Sequence, residues 1–121
     1  MYDHLGLHVK DLKASVRFYE AALGALGHVL CSQDANGAGL GPKGEPALWL
    51  YADAGTRKPG MHVAFRAKNR AAVDRFYEAG VKAGGKDNGK AGLRADYSPT
   101  YYAAFLIDPD GNNVEAVCMT K

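Results

Sequence analysis

The chain has 121 residues and weighs 12.9 kDa, one domain's worth of protein and long enough to bury about two-thirds of its surface. With 47% apolar and 23% charged residues and a formal net charge of +2, it is neither disordered nor fibrous, and its scattered Lys and Arg exclude the basic footprint of a nucleic-acid binder. Cys31 and Cys118 form no CxxC or zinc-ribbon spacing and are read as reduced, buried thiols. No window approaches the roughly eighteen apolar residues that span a bilayer, and Met1 to Leu5 lack the basic and apolar regions of a signal peptide, so a cytoplasmic protein with no membrane partner is expected.

In chain order, His4 to Val9 alternates, with Leu5, Leu7 and Val9 on one face and His4, Gly6 and His8 on the other, the period-2 pattern of a half-buried strand. Asp11 is placed to cap a helix on which Val16, Tyr19, Leu23 and Leu26 recur at helical spacing until Gly24 and Gly27. His28, just beyond, reads as a surface residue. Short strands follow at His28 to Ser32, Gly39 to Gly41 and Ala47 to Tyr51. A second strand–helix pair begins at His62, with His62, Ala64 and Arg66 opposing Val63, Phe65 and Ala67. Asn69 then caps a helix carrying Val73, Phe76, Tyr77 and Val81, closed by Gly84-Gly85. A long polar connection from Lys86 to Thr100 leads to a strand at Tyr101 to Ile107, an Asp108-Pro109-Asp110-Gly111 turn and a last strand at Asn113 to Met119. A connection of that length in a small domain is usually functional or mobile, whereas Asp108 and Asp110 read simply as turn formers.

The two halves are copies of one another. Residues 4–27 align without a gap on residues 62–85 at an offset of 58, with ten identities that include His4/His62 and the RFYEA run at Arg17 and at Arg75. Two copies are too few for a solenoid and point to paired modules about a pseudo-two-fold axis. Each reads as βαβββ, module 1 covering about residues 1–57 and module 2 about 58–121. The predicted fold class is therefore α+β, two tandem modules forming a cupped eight-stranded mixed sheet with its helices on the convex side.

The helices cover the apolar strand faces, which leaves an unusual set for the opposite faces: His4, His8, Trp49, Tyr51, His62, Arg66 and Glu115. His4 and His62 are repeat equivalents, and alternation puts Glu115 opposite Val114 and Ala116. Two imidazoles and a carboxylate with open positions suit Fe(II), and also Zn, Ni or Mn. His8 pairs with Arg66 in the repeat rather than with another histidine, so it reads as a structural or substrate-facing group.

Three motifs carry a resemblance: HxxxHVKDLxxSxxFYxxxLGxLG at His4 to Gly27, HVAF at His62 to Phe65, and DPDGNNVEAV at Asp108 to Val117. Together they resemble the vicinal oxygen chelate superfamily, the group of glyoxalase I, extradiol dioxygenases, and bleomycin and fosfomycin resistance proteins. The resemblance covers nearly the whole chain and implies paired βαβββ modules cupped around a divalent metal. It puts the metal positions on His4, His62 and Glu115. A fourth position, a second Glu in proteins resembling glyoxalase I, falls here on Trp49, which leaves His8 as the available base.

The expected function is a glyoxalase- or dioxygenase-like metalloenzyme, an isomerase, lyase or dioxygenase in which the metal chelates neighbouring oxygens of a small molecule. His8 and Tyr101 are the candidate catalytic side chains. Trp49, Tyr51, Tyr102 and Phe105 are candidate walls, and Arg66 and Arg94 candidate holders of an anionic group. Which of Tyr101 and Tyr102 faces the cup is open, with Tyr101 sharing its face with Phe105. The alternative is a non-catalytic small-molecule binder of the bleomycin-resistance kind. Exposed sheet edges favour a homodimer, with pairing of modules within or between chains left open.

Overall fold

The structure is a computed structural model that describes residues 4–52 and 61–121; the boundary expected near residues 57 and 58 lies outside the described residues. Strand β1 (Leu5–Val9) buries Leu7 and Val9 and exposes Gly6 and His8, as the alternation predicts. Helix α1 (Leu12–Gly24) starts where the Asp11 side chain accepts a hydrogen bond from the Ala14 amide at 3.1 Å. Strands β2 (Val29–Gln33), β3 (Gly37–Gly41) and β4 (Leu48–Ala52) complete the first half.

The second half repeats this with β5 (His62–Arg66) and α2 (Arg70–Lys82), where Asn69 accepts from the Ala72 amide at 2.8 Å. Gly84, at φ +106°, ends α2 by letting the Gly85 amide return to the Gly80 carbonyl and its own amide to that of Val81. That left-handed turn satisfies carbonyls the helix leaves unpaired and favours glycine. The long connection is not structureless: β6 (Lys86–Asp87) and β7 (Gly92–Leu93) both pair with β8 (Tyr102–Ile107), which runs antiparallel to β9 (Asn113–Cys118).

The α+β class holds, but the strands do not form one continuous eight-stranded sheet. They form two mixed sheets, β1-β4-β3-β2 and β5-β9-β8-β6 with β7 added on β8, and β1 and β5 are each left at an edge. α1 packs against α2 as well as its own sheet, because the glycines at 80 and 85 leave room for the Phe18 ring; a Cβ at either would collide, with Phe18 at Gly85 and with Leu106 at Gly80. One core results, running from Leu7, Leu48 and Leu50 through Phe18, Leu23 and Phe76 to Leu106 and Val114.

The Asp108–Gly111 turn does more than reverse the chain. Asp108 is buried, 4% exposed, and accepts hydrogen bonds from the backbone amides of Asp110 and Asn112, from Asn112 Nδ2, and from the Tyr19 hydroxyl of α1 at 2.6 Å. Asp110 accepts from the Lys10 amide at 2.9 Å and from Ser15 Oγ at 3.3 Å. A buried carboxylate is tolerated when its oxygens are saturated in this way. The turn thereby ties the second half to the start of α1.

His28 is half-buried rather than a surface residue, and its Nδ1 is enclosed without a hydrogen-bond partner among the described residues. Burial lowers its pKa from 6.5. A lowered histidine pKa means folding favours the neutral ring, so this contribution is present above pH 6.5 and is lost as pH falls through the folded value. Urea unfolding measured from pH 7.5 downwards is expected to show His28→Gln losing less stability on acidification than the parent chain. Cys31 is partly exposed, not buried as expected, because it sits on edge strand β2; Cys118 is buried, and both are free thiols.

Candidate functional site

On the sheet of the second half, the face turned away from α2 carries His62, Ala64 and Arg66 from β5, Phe105 from β8 and Glu115 from β9. The parallel register sets Ala64 beside Glu115, so His62, two residues earlier, reaches the carboxylate diagonally. His62 Nε2 lies 3.1 Å from Glu115 Oε1, with the imidazole 48% exposed and the carboxylate 3% exposed. The other oxygen, Oε2, accepts a hydrogen bond from the Tyr101 hydroxyl. Burial first, then the hydrogen bond and charge of Glu115, push Tyr101 up to about 12, so it remains a donor across the physiological range.

Aromatic and cationic groups extend this face. The His62 ring stacks on Phe105 with centroids 6.4 Å apart and planes 24° apart, and the Arg94 guanidinium lies 5.4 Å from the Phe105 centroid on the same strand neighbourhood. Arg94 is anchored by its own loop, with Nη1 donating to the Gly92 carbonyl at 3.1 Å and Nη2 to that of Lys90 at 2.7 Å. Tyr97, which sequence reasoning passed over, meets the Tyr101 ring edge-on at 5.0 Å. Its position four residues before Tyr101 was the available signal.

The sheet of the first half carries the other candidates. His4 precedes β1 and is exposed, as is His8, whose ring centroid lies 5.6 Å from that of Tyr51, its register partner on β4. Trp49 is opposite Gly39 on β3, where a Cβ would stand 2.8 Å from the indole; glycine there lets the ring lie across the strand. Tyr51 is 44% exposed.

The structure thus brings His62, Glu115, Tyr101, Phe105 and Arg94 together, and separately His8 with Tyr51. Among the described residues no group of three or more His, Cys, Asp or Glu side chains gathers as a metal site, so within one chain His4 does not join His62 and Glu115. The reason is the split into two sheets. Tyr102 takes the other parity of β8: its hydroxyl donates to Asp74 of α2 at 2.6 Å and the Arg70 guanidinium lies 5.1 Å from its ring, so it belongs to the helix side. Of the two tyrosines left open, Tyr101 lies with Glu115 and Tyr102 lies on the helix side, apart from His62, Glu115 and Phe105.

His62 and Glu115 fit part of a divalent-cation site. An imidazole nitrogen and a carboxylate oxygen stand 3.1 Å apart on a face where the imidazole is open to solvent, and both are donor types that a divalent cation accepts. They supply two donors.

The sequence matches the model of the Glyoxalase/Bleomycin resistance protein/Dioxygenase superfamily over residues 2–116, and the chain belongs to that superfamily. Its structure is similar to that of a glyoxalase/bleomycin resistance protein from Albidiferax ferrireducens T118, at 26% identity and TM-score 0.84 over 98% of both chains. It also resembles a glyoxalase/bleomycin resistance protein/dioxygenase family enzyme from Burkholderia phytofirmans PsJN, at 17% identity and TM-score 0.75 over 98% of both chains, a likeness of fold alone. No curated protein matches the sequence. No helix among the described residues is long and apolar enough to cross a membrane.

Proposed function

We propose that this chain is a metal-dependent enzyme acting on a small oxygenated molecule, an isomerase, lyase or dioxygenase, whose site is completed between two copies. In this reading the His4 face of one copy meets the His62 and Glu115 face of the other, and each of two equivalent sites holds Fe, Zn, Ni or Mn. The observation that carries it is the His62–Glu115 pair, an open imidazole against a buried carboxylate. Two further features support the pairing. Among the described residues β1 and β5 each pair on one side only and leave sheet edges of the kind proteins ordinarily cover, and both outward faces present large or ionisable groups such as Tyr51 and Arg66 to solvent.

His62 and Glu115, with His4 of the other copy, would hold such an ion, and the chemistry it would supply when bound is Lewis-acid stabilisation of negative charge on substrate oxygen. The remaining work falls to side chains of the chain. Trp49, Tyr51 and Phe105 form flat apolar walls that orient a small molecule and exclude water. Arg66 and Arg94 hold an anionic substituent, Arg94 in a fixed attitude because two backbone carbonyls anchor it. His8 moves the proton: it carries the only imidazole beside these walls on the first sheet apart from His4 among the described residues, and Trp49 provides no base.

The test is reconstitution of the purified protein with each metal in turn, followed by elemental analysis and sedimentation. About one equivalent per chain in a dimer is expected. A dimer that takes up no metal but binds aromatic ligands, seen by quenching of Trp49 fluorescence, replaces this reading with that of a non-catalytic binding protein.

A further inference from the structure

We infer that Tyr101 is a positioning residue for Glu115, holding the carboxylate so that only Oε1 is presented toward His62. This rests on the metal reading above and adds to it a residue that acts through a ligand rather than on substrate.

The argument starts from the carboxylate. Glu115 is 2% exposed, and a buried carboxylate oxygen needs a partner. Its two oxygens have different ones: Oε1 faces the half-exposed His62 ring, while Oε2 is taken by the Tyr101 hydroxyl. The last torsion of a glutamate is soft, so packing of the chain does not by itself fix the angle of the carboxylate plane. A hydrogen bond to one of its two equivalent oxygens fixes that angle and leaves the other oxygen turned toward His62. With Oε2 occupied, the carboxylate offers a cation one oxygen, which keeps further coordination positions open for substrate.

Tyr101 is itself held firmly enough to do this. Its amide donates to the Ser98 carbonyl at 3.2 Å, its carbonyl accepts from the Arg94 amide at 2.7 Å, and Tyr97 packs edge-on against its ring. The same short segment therefore anchors the Glu115 clamp and the backbone of Arg94. Were Tyr101 needed only as an apolar wall, its hydroxyl would add nothing. Its contact with Glu115 gives that oxygen a function.

The experiment uses Co(II) as probe with the full chain, the parent compared with Tyr101→Phe and with Tyr77→Phe, which removes a tyrosine hydroxyl from α2 instead. Loss of a group that orients a metal ligand typically weakens binding about 10–100-fold. Tyr101→Phe is expected to lose that much Co(II) affinity in a chelator competition, and its visible Co(II) bands to weaken as the released Oε2 enters the coordination sphere. Tyr77→Phe is expected to keep the parent's affinity and spectrum. Near-UV circular dichroism follows the fold, and replacing Tyr101 with 4-aminophenylalanine, which restores a donor at the same place, is expected to recover the parent spectrum. Equal affinity and an unchanged spectrum in Tyr101→Phe overturn the inference while the metal reading stands, as does a loss of binding no larger than the loss of folded protein. A parent protein that binds no Co(II) overturns the metal reading, and this inference with it.

Discussion

Phe18→Ala is expected to destabilise the protein by about 3–5 kcal/mol, the usual cost of truncating a buried phenylalanine. At roughly 3–4 °C per kcal/mol for a domain of this size, the thermal midpoint falls by about 10–20 °C. The expectation is at the upper end because the ring is fully buried at the junction of both helices and has few ways to be replaced. It lies over Gly80 and Gly85 of the second half and meets Tyr19 edge-on, with centroids 5.0 Å apart. Removing it opens a hole that the α1–α2 contact cannot close without moving Tyr19, whose hydroxyl is committed to buried Asp108. Thermal unfolding followed by circular dichroism checks this. A loss below about 1 kcal/mol, the size of a surface change, means that α1 and α2 do not pack as described.

The second large effect concerns binding rather than stability. Glu115→Gln keeps the shape of the side chain, and its single amide oxygen can still accept from Tyr101 while its NH2 faces His62, but it lacks the negative charge that makes a carboxylate a good ligand for a hard or borderline cation. Divalent metal affinity is expected to fall by more than about 100-fold, beyond the 10–100-fold typical of outer-shell changes. His4→Ala is expected to lose metal comparably, with thermal stability close to the parent's because His4 is exposed and precedes β1. Equilibrium dialysis against the metal found by reconstitution measures both. Retention of metal by either variant removes that residue from the ligand set.

Much of the fold was readable from local chemistry. Asp11 and Asn69 cap their helices through the side-chain oxygens that their residue types supply. The alternation from His62 to Arg66 gives the observed pattern of buried and exposed residues one for one, because a strand with one covered face has no other way to hide Val63 and Phe65. The 58-residue repeat gave the order of elements twice. What stayed hidden depends on contacts distant in sequence. The approach of α1 to α2 depends on Phe18 meeting two glycines more than sixty residues later, and neither that contact nor the division of the strands into two sheets is reported by any window along the chain. Asp108 reads fully as a turn residue, and its second task, receiving the Tyr19 hydroxyl, leaves no local trace.

The site was legible to the same extent. His62 and Glu115 share a face because alternation is a property of each strand, and the parallel register of β5 and β9 brings them to hydrogen-bonding distance. Tyr101 and Tyr102 differ only in parity, and which parity faces Glu115 is set by the register of β8 on β9, where Phe105 stands opposite Glu115; Tyr102, on the other parity, goes to Asp74 while Tyr101 stays with Glu115. His4 could be assigned to a face but not to a partner, because the assignment needs the relation between two sheets that one chain does not join.

That relation is open to one direct measurement. His4→Ala and Glu115→Gln chains, each expected to have lost metal on its own, are mixed, dissociated, reassociated and assayed for bound metal. If each site takes His4 from one copy and Glu115 from the other, a mixed dimer regains one intact site of two. Random reassociation makes half the dimers mixed, so metal is expected to return to about one quarter of the parent's content. If metal stays at the level of the separate variants, the two donors do not meet across copies, and the account of a site shared between chains is wrong.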